Sequence, residues 1–420
     1  MRGGLPRCYE KAGSPDVLHP GKNALKVRKG KPAMKKAYRK EEQQAKANRK
    51  EAKKTIAKIS EFGDRAANSL VIGIDLGDRT STYTVRSRDA QEVLMRSTVT
   101  TAPEKILEAF CGLQRQRIIV ETGTHSRWMA QLLEMMGHEV IVGDARKLKL
   151  ISENNTKSDK VDADLLSSLG CMNVDWLHPV YVRKDETHRD LMLVRSREAL
   201  MQARTALINH VRGTVKAFGM RVKSCDADQF VEVAAEGIPK VLEPALSGVL
   251  EILAALSEQI YEYDCHIAHL GQTKYQDEVK WLTQVKGVGP ITGLTFVLTI
   301  EEPGRFEKSR DVGAYLGLTR KTKQSGNKDP QLGITKAGDE LLRKLLVNCA
   351  HWILGYRGED CDLRRWGMDL MERGGSEGKK GARNRAAVAV ARKLAVLLHL
   401  LWARREQYEP LRKGVVPKAA

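Results

Sequence analysis

The sequence predicts an α/β region followed by a mainly α one. From residue 69 to about 180, short β-rich runs alternate with helical stretches. Two long helical segments come next, with apolar positions recurring at steps of three and four. The last part, to about residue 412, reads as helices joined by loops rich in Gly, Lys and Ser.

A basic arm precedes these regions. The 420 residues carry 71 Lys and Arg against 52 Asp and Glu, a net charge of +19, which points to a polyanionic partner. Residues 1–70 alone hold 19 Lys and Arg against 7 Asp and Glu. From Met34 onward residues 1–68 have few aromatic or β-branched positions, so they are expected to be disordered or helical, with Lys35 to Ile59 as a solvated helix. A solvated tail and an arm that grips phosphates both fit. At 42% hydrophobic and 29% charged, the whole chain is not globally disordered.

Residues 69–180 open with three strands in succession, at 71–77 (VIGIDLG), 82–87 (TYTVRS) and 92–100 (EVLMRSTVT). A helix from Pro103 to Leu113, a strand at 117–123 (RIIVETG), a helix from Ser126 to Met136 and a strand at 138–145 (HEVIVGDA) follow. Three neighbouring strands followed by β-α-β alternation, with an acid closing the first and fourth strands, is the ribonuclease H-like order.

Residues 181–275 read as a helical connector, with long helices at about 186–220 and 240–271. In the second, Leu242, Leu246, Val249, Leu253, Leu256, Ile260, Tyr263, Ile267 and Leu270 form a coiled-coil seam. In the first, Leu193, Leu200 and Leu207 lie seven apart, suited to an antiparallel hairpin, a dimer contact or simple bundle packing. Residues 276–412 form the mainly α part, with helices at roughly 337–355 and 384–404.

Several classes are excluded by what the chain carries. The apolar run Leu394 to Trp402 is broken by His399 and falls short of the roughly 20 residues that span a bilayer, so no transmembrane helix and no membrane partner are expected. The first residues lack the apolar stretch of a signal peptide, which implies a cytoplasmic protein. Seven scattered cysteines without a CxxC pair argue against a disulfide framework, and the spacing of Cys349 and His351 does not support a structural metal.

The chemistry is carried by acids. Asp75 ends the apolar run of GIDLG, and Glu121 ends IIVE in the same way, so the two can meet on neighbouring strands. Asp159 and Asp162, three residues apart, lie about 60° apart around a helix and share a face. Clustered carboxylates repel unless a cation compensates, and hard oxygen donors select Mg²⁺ or Mn²⁺. Asp164, two steps from Asp162, points off that face and reads as surface.

Other motifs suit a nucleic-acid backbone. Gly287 and Gly289 in KGVGPITG resemble a helix-hairpin-helix turn that offers N–H groups to phosphate, or an ordinary helix-capping turn. Ser325 lies in a loop with Arg320, Lys321, Lys323, Lys328 and Lys336, where a hydroxyl can act as a nucleophile on phosphorus, although most such serines are plain loop residues. Lys379, Lys380, Arg383 and Arg385 precede an Ala-rich helix and fit backbone contact or a charged helix entrance.

Taken together, GIDLG, VETG, KSDKVDADLL, VKGVGPITG, AYLGLTRKTKQSG and GITKAGDELLRKLL resemble the DEDD transposases of the insertion sequence 110 and 1111 group, from about residue 70 to 405. The resemblance implies a RuvC-like, ribonuclease H-fold catalytic domain, a coiled-coil connector and a C-terminal transposase domain. It further implies Asp75, Glu121, Asp159 and Asp162 as a Mg²⁺-holding quartet, and Ser325 as the nucleophile of a covalent phosphoserine intermediate. Donor and target DNA, a non-coding bridge RNA that selects them, and a homodimer or homotetramer on DNA are the implied partners. The setting would be prokaryotic and nucleoid-associated. The long basic segment before the first strand departs from the group's pattern.

Other readings stay open on the residues alone. A RuvC-like endonuclease or site-specific DNA invertase would use the same acids with water as nucleophile. GIDLGDRTS also resembles the phosphate loop of an actin-like kinase, although a second acidic glycine motif is missing. A binding protein with inactive acids is the non-enzyme reading.

Overall fold

The computed structural model describes residues 62–144, 147, 159–322, 332–373 and 379–412, with the backbone alone at 159, 160, 379 and 380. The basic arm expected over 1–68 lies almost wholly outside the described residues. The chain forms two compact units that divide between Arg183 and Lys184.

In the first unit the β-branched runs become strands β1 (Leu70–Asp75), β2 (Thr80–Ser87), β3 (Val93–Thr100), β4 (Arg117–Glu121) and β5 (Glu139–Gly143). They form one sheet in the order β3-β2-β1-β4-β5. The pairs β1–β2 and β2–β3 are antiparallel, and β1–β4 and β4–β5 are parallel. This arrangement is consistent with the ribonuclease H-like order.

Each face of the sheet has its own core, because alternate residues of a strand point to opposite sides. On one face Leu70, Ile72, Ile74, Ile118 and Val120 pack with residues of helices α1 (Pro103–Phe110) and α2 (Ser126–Met135), among them Phe110 and Met129. On the other, Val71, Ile119 and Ile141 meet Leu166 and Leu169 of α3 (Asp159–Met172). The approach of α3 is close. A Cβ at Gly73 of β1 would stand 2.3 Å from the carbonyl oxygen of Ala163, so only glycine lets the helix lie against that strand.

The second unit is helical. Helices α4 (Asp185–Ala217) and α6 (Glu243–Thr273) run antiparallel, as Arg197 pairs with Asp264 while Arg204 bonds Ser257. Between them lies the short helix α5 (Phe230–Gly237). The α6 ladder buries Leu246, Leu253, Ile260 and Ile267, each seven residues from the last. On α4 the buried apolar side chains are Leu191, Val194, Val211 and Val215, whereas Leu193, Leu200 and Leu207 are only half-buried. Leu193 and Leu207 nonetheless pack against cores shared with α6, in the antiparallel hairpin the sequence suggested, and Arg204 is buried on the inward side.

Helices α7 (Gln276–Thr283), α8 (Pro290–Ile300), α9 (Asp311–Tyr315), α10 (Glu340–Ile353), α11 (Asp362–Arg373) and α12 (Lys379–Arg404) follow. α12 supplies Ala387, Val390, Ala391, Leu394 and Leu398 to a core shared with Phe296 of α8 and Leu346 of α10. Among the described residues, Gly381–Arg404 is long and apolar enough to cross a membrane, because alanines extend the apolar length well ahead of Leu394. The expectation from the shorter run is corrected on that point. The helix nonetheless buries its apolar side in this core, and nothing else about it indicates a membrane. His399, which interrupts the run, is itself buried, with ring nitrogens bonded to Ser309 Oγ (3.0 Å) and the Pro303 carbonyl (2.9 Å).

Candidate catalytic site

Strand pairing sets two of the acids side by side. Ile74 of β1 is level with Val120 of β4 in a parallel pair, so Asp75 and Glu121 occupy the next rung, at the C-terminal ends of adjacent strands. Both follow the alternation of Val71 and Ile119, which face α3. Asp162 comes from α3, one helical turn before Leu166, which packs in the same core layer. It is 4% exposed. Three acids therefore belong to the α3 side of the sheet at one strand edge.

Asp159 begins α3, and its side chain lies outside the described residues. Among the described residues no three Asp, Glu, His or Cys side chains form a group able to hold a metal ion. The four-acid set is thus not assembled in what is described. Its donors, all carboxylate oxygens, suit a hard divalent cation in chemistry.

Two further acids of this unit matter. Asp144 closes β5 as a buried carboxylate beside the same edge. Asp164, read above as surface, is in fact half-buried and tied to the sheet. Arg96 donates from Nε to both carboxylate oxygens (2.8 and 2.9 Å) and from Nη2 to Oδ2 (2.6 Å), while the Thr84 hydroxyl donates to Oδ1 (2.6 Å). Burial pushes this carboxyl up, but the bonds from Arg96 and Thr84 prevail and hold it below the usual carboxylate range. No local pattern hints at the pairing, since Arg96 and Asp164 stand 68 positions apart.

In the second unit, Ser325, Lys323 and Lys328 lie outside the described residues. The base of their loop is described. Arg320 bridges Ile334, the Lys321 N–H donates to the Gly333 carbonyl and the Thr335 N–H to the Thr319 carbonyl, both at 2.9 Å. Arg320, Lys321 and Lys336 are exposed there. Arg383 and Arg385 are exposed on α12, whose first turn holds the backbone of Lys379 and Lys380.

The glycine-rich turn joins α7 to α8. Gly287 has φ +94° and sits against Trp352, where a Cβ would come within 2.6 Å of the ring. Gly289 is the extended N-cap of α8 and would admit a Cβ freely. The first glycine is thus required by the fold, and the second is not.

The DEDD transposase domain of IS110-type elements, described as Transposase, matches residues 72–220. A second domain, described as Transposase IS116/IS110/IS902 family, matches residues 279–360. The transposase for insertion sequence element IS1111A of Coxiella burnetii is 31% identical over 226 residues, which cover 51% of this chain and 59% of that relative. The Sinorhizobium fredii transposase y4pF/y4sB is 31% identical over 307 residues, covering 69% of this chain and 74% of the relative. The transposase for insertion sequence element IS1328 of Yersinia enterocolitica is 25% identical, over 67% of this chain and 83% of its own length. The chain belongs to the IS110 group of DEDD transposases.

Proposed function

We propose that this protein moves an insertion element by cutting and rejoining DNA through a serine nucleophile. The observation that supports the reading is the position of Asp75 and Glu121 at the C-terminal ends of adjacent parallel strands, on the sheet face covered by α3, the helix that carries Asp162. Asp75, Glu121, Asp159 and Asp162 would hold Mg²⁺, or Mn²⁺ in its place. Such an ion, when bound, withdraws charge from phosphate oxygens and lowers the pKa of a nearby hydroxyl. Ser325 Oγ then attacks phosphorus. One Oγ–P bond forms, one P–O bond of the DNA breaks, and the leaving DNA oxygen takes up a proton. Because the phosphoester is kept, a DNA hydroxyl can reverse the step on a new strand without an outside energy source.

Backbone contact falls to Arg320, Lys321, Lys323, Lys328, Lys336, Lys379, Lys380, Arg383 and Arg385, and to the turn at Gly287 and Gly289. The net charge of +19 supports a polyanionic partner. Choice of donor and target DNA would rest on a bridge RNA, with the protein reading backbone and shape. A homodimer or homotetramer on DNA, in the bacterial cytoplasm and nucleoid, completes the reading. An RuvC-like nuclease or invertase using water remains the rival.

The test is recombination between donor and target plasmids with the element's flanking RNA expressed, comparing the unaltered chain with Asp75→Ala and Ser325→Ala. Joining with a trapped protein–DNA adduct, both lost in each variant, supports the proposal. An adduct that survives Ser325→Ala reassigns the nucleophile, and cutting without any adduct favours the water-using nuclease.

A further inference from the structure

The second unit contains a cleft of about 1260 Å³ which shares Arg320, Lys336 and Arg385 with the backbone contacts above but whose apolar lining none of those roles uses. Its floor is apolar, formed by Leu318, Leu332, Ile334, Trp366, Val388 and Leu397. Leu332 is 38% exposed, and the other side chains of the floor are held by the cores of α11 and α12.

The rim has the opposite character. Arg310, Arg320, Lys336, Arg385, Arg392 and Arg412 line it, coming from the approach to α9, the base of the Ser325 loop, α12 and the stretch beyond α12. Lys393 adds its ammonium 3.6 Å above the ring of Trp366. The acids of the lining are Asp362 and Glu409, so cations outnumber them there.

Few ligands suit both parts. Duplex DNA turns its phosphates and groove edges outward and keeps the flat faces of its bases stacked inside, so it meets the rim but leaves the floor wet. An acidic helix of a protein would meet the cations but offers no flat apolar faces to the leucines and Trp366. An unpaired strand offers both: planar apolar faces and a flexible ribbon of phosphates. The volume exceeds the roughly 300–1,000 Å³ typical of a small-molecule pocket, which leaves room for more than one nucleotide. Deoxyribose, lacking the 2′-hydroxyl, meets an apolar floor without burying an unsatisfied donor.

We propose that this cleft seats an unpaired segment of DNA, with bases on the floor around Trp366 and Leu332 and phosphates on the arginine rim. The proposal rests on the transposase reading, since exchange of strands passes through unpaired DNA. Arg320 and Lys336 bracket the segment of Ser325 in sequence, so the same loop base would serve the cleft and the nucleophile.

The experiment is fluorescence anisotropy with the full chain and a short labelled thymidine oligomer. The comparison ligands are an abasic oligomer of equal length, the uridine RNA and the matching duplex. Base stacking makes the thymidine oligomer about tenfold or more tighter than the abasic strand. Leu332→Glu, at an exposed position, removes that advantage while leaving the thermal midpoint unchanged. Arg412→Ala weakens both oligomers alike and reduces the salt slope by about one. Equal binding of the abasic strand, preference for RNA or duplex, or an unchanged base advantage in Leu332→Glu overturns the proposal. Failure of the transposase reading is separable, because it appears as absent strand transfer by the unaltered chain whatever the oligomers do.

Discussion

Arg96 of β3 grips Asp164 of α3 through both carboxylate oxygens, and Thr84 of β2 hydrogen-bonds the same carboxylate. The contact fastens α3 to the sheet two residues from Asp162. The arginine side chain is half exposed, so the ion pair contributes about 1 kcal/mol at most. The Thr84 hydroxyl is buried, and stranding it costs about 1–3 kcal/mol. Asp164→Ala is therefore expected to lower stability more than Arg96→Ala, and to reduce strand transfer by displacing Asp162. Asp164→Asn, which keeps an acceptor for Thr84, should restore most of the stability. Denaturant melts and the plasmid assay read both effects, and equal losses in the three variants would refute the ranking.

Gly73→Ala tests the close approach of α3. The obstacle to the new Cβ is backbone, the Ala163 carbonyl oxygen and the Ser167 nitrogen at 2.3 and 2.4 Å, so no side chain can rotate away. A cost of about 3 kcal/mol is expected, with strand transfer falling further than stability because α3 carries Asp162. Gly289→Ala, where a Cβ meets nothing, should leave stability within about 0.5 kcal/mol.

The long helix pair holds an asymmetric ion pair. Arg204 is buried while its partner Asp228, 2.6 Å away, is largely in solvent. Asp228 can rehydrate when the arginine is lost, but Arg204 would keep a buried charge with Ser257 Oγ and Met201 Sδ as its other partners. Asp228→Ala should therefore destabilise by about 2 kcal/mol, and Arg204→Leu by less. Urea unfolding of the two variants decides the order.

Acid should weaken each unit through one histidine. Burial pushes the pKa of His138 in the first unit and His399 in the second below the ordinary value. A depressed folded pKa means that the unfolded chain takes up the proton first. Stability is full above about pH 6.5 and falls as pH drops from there through the folded values. His399→Gln, which keeps a donor and an acceptor for Ser309 and Pro303, should flatten the pH dependence of the second unit's unfolding. Thermal midpoints measured from pH 7.5 to about 5 check this.

Much of the first unit was legible because its signals are local. Gly, Pro or a charged residue bounds each apolar run, and the strands at 71–77, 82–87, 92–100 and 117–123 match β1 to β4 within two residues. The acids at the ends of β1 and β4 were legible for the same reason. Asp164 was misread because its partner is remote in sequence and only the folded sheet brings them together. The inward side of α4 was legible only in part: Leu193 and Leu207 do pack in the hairpin, but a buried arginine takes a place that a pattern of apolar residues cannot reveal. The cleft beside Trp366 had no sequence signature, since its walls come from segments as far apart as Arg310 and Arg412.

The position of α12 in the chain also orders its birth. It is the final described helix, yet its alanines and leucines complete the core around Phe296 and Leu346, residues made a hundred or fifty positions earlier. On a ribosome the sheet of the first unit can close once α3 has emerged, whereas the second unit must wait for nearly the whole chain. Until then its unpaired apolar faces are a target for chaperones, and a premature stop before residue 380 would leave them open for good. A nascent-chain force measurement should accordingly record two folding events, the later one only when the segment through Arg404 has cleared the exit tunnel.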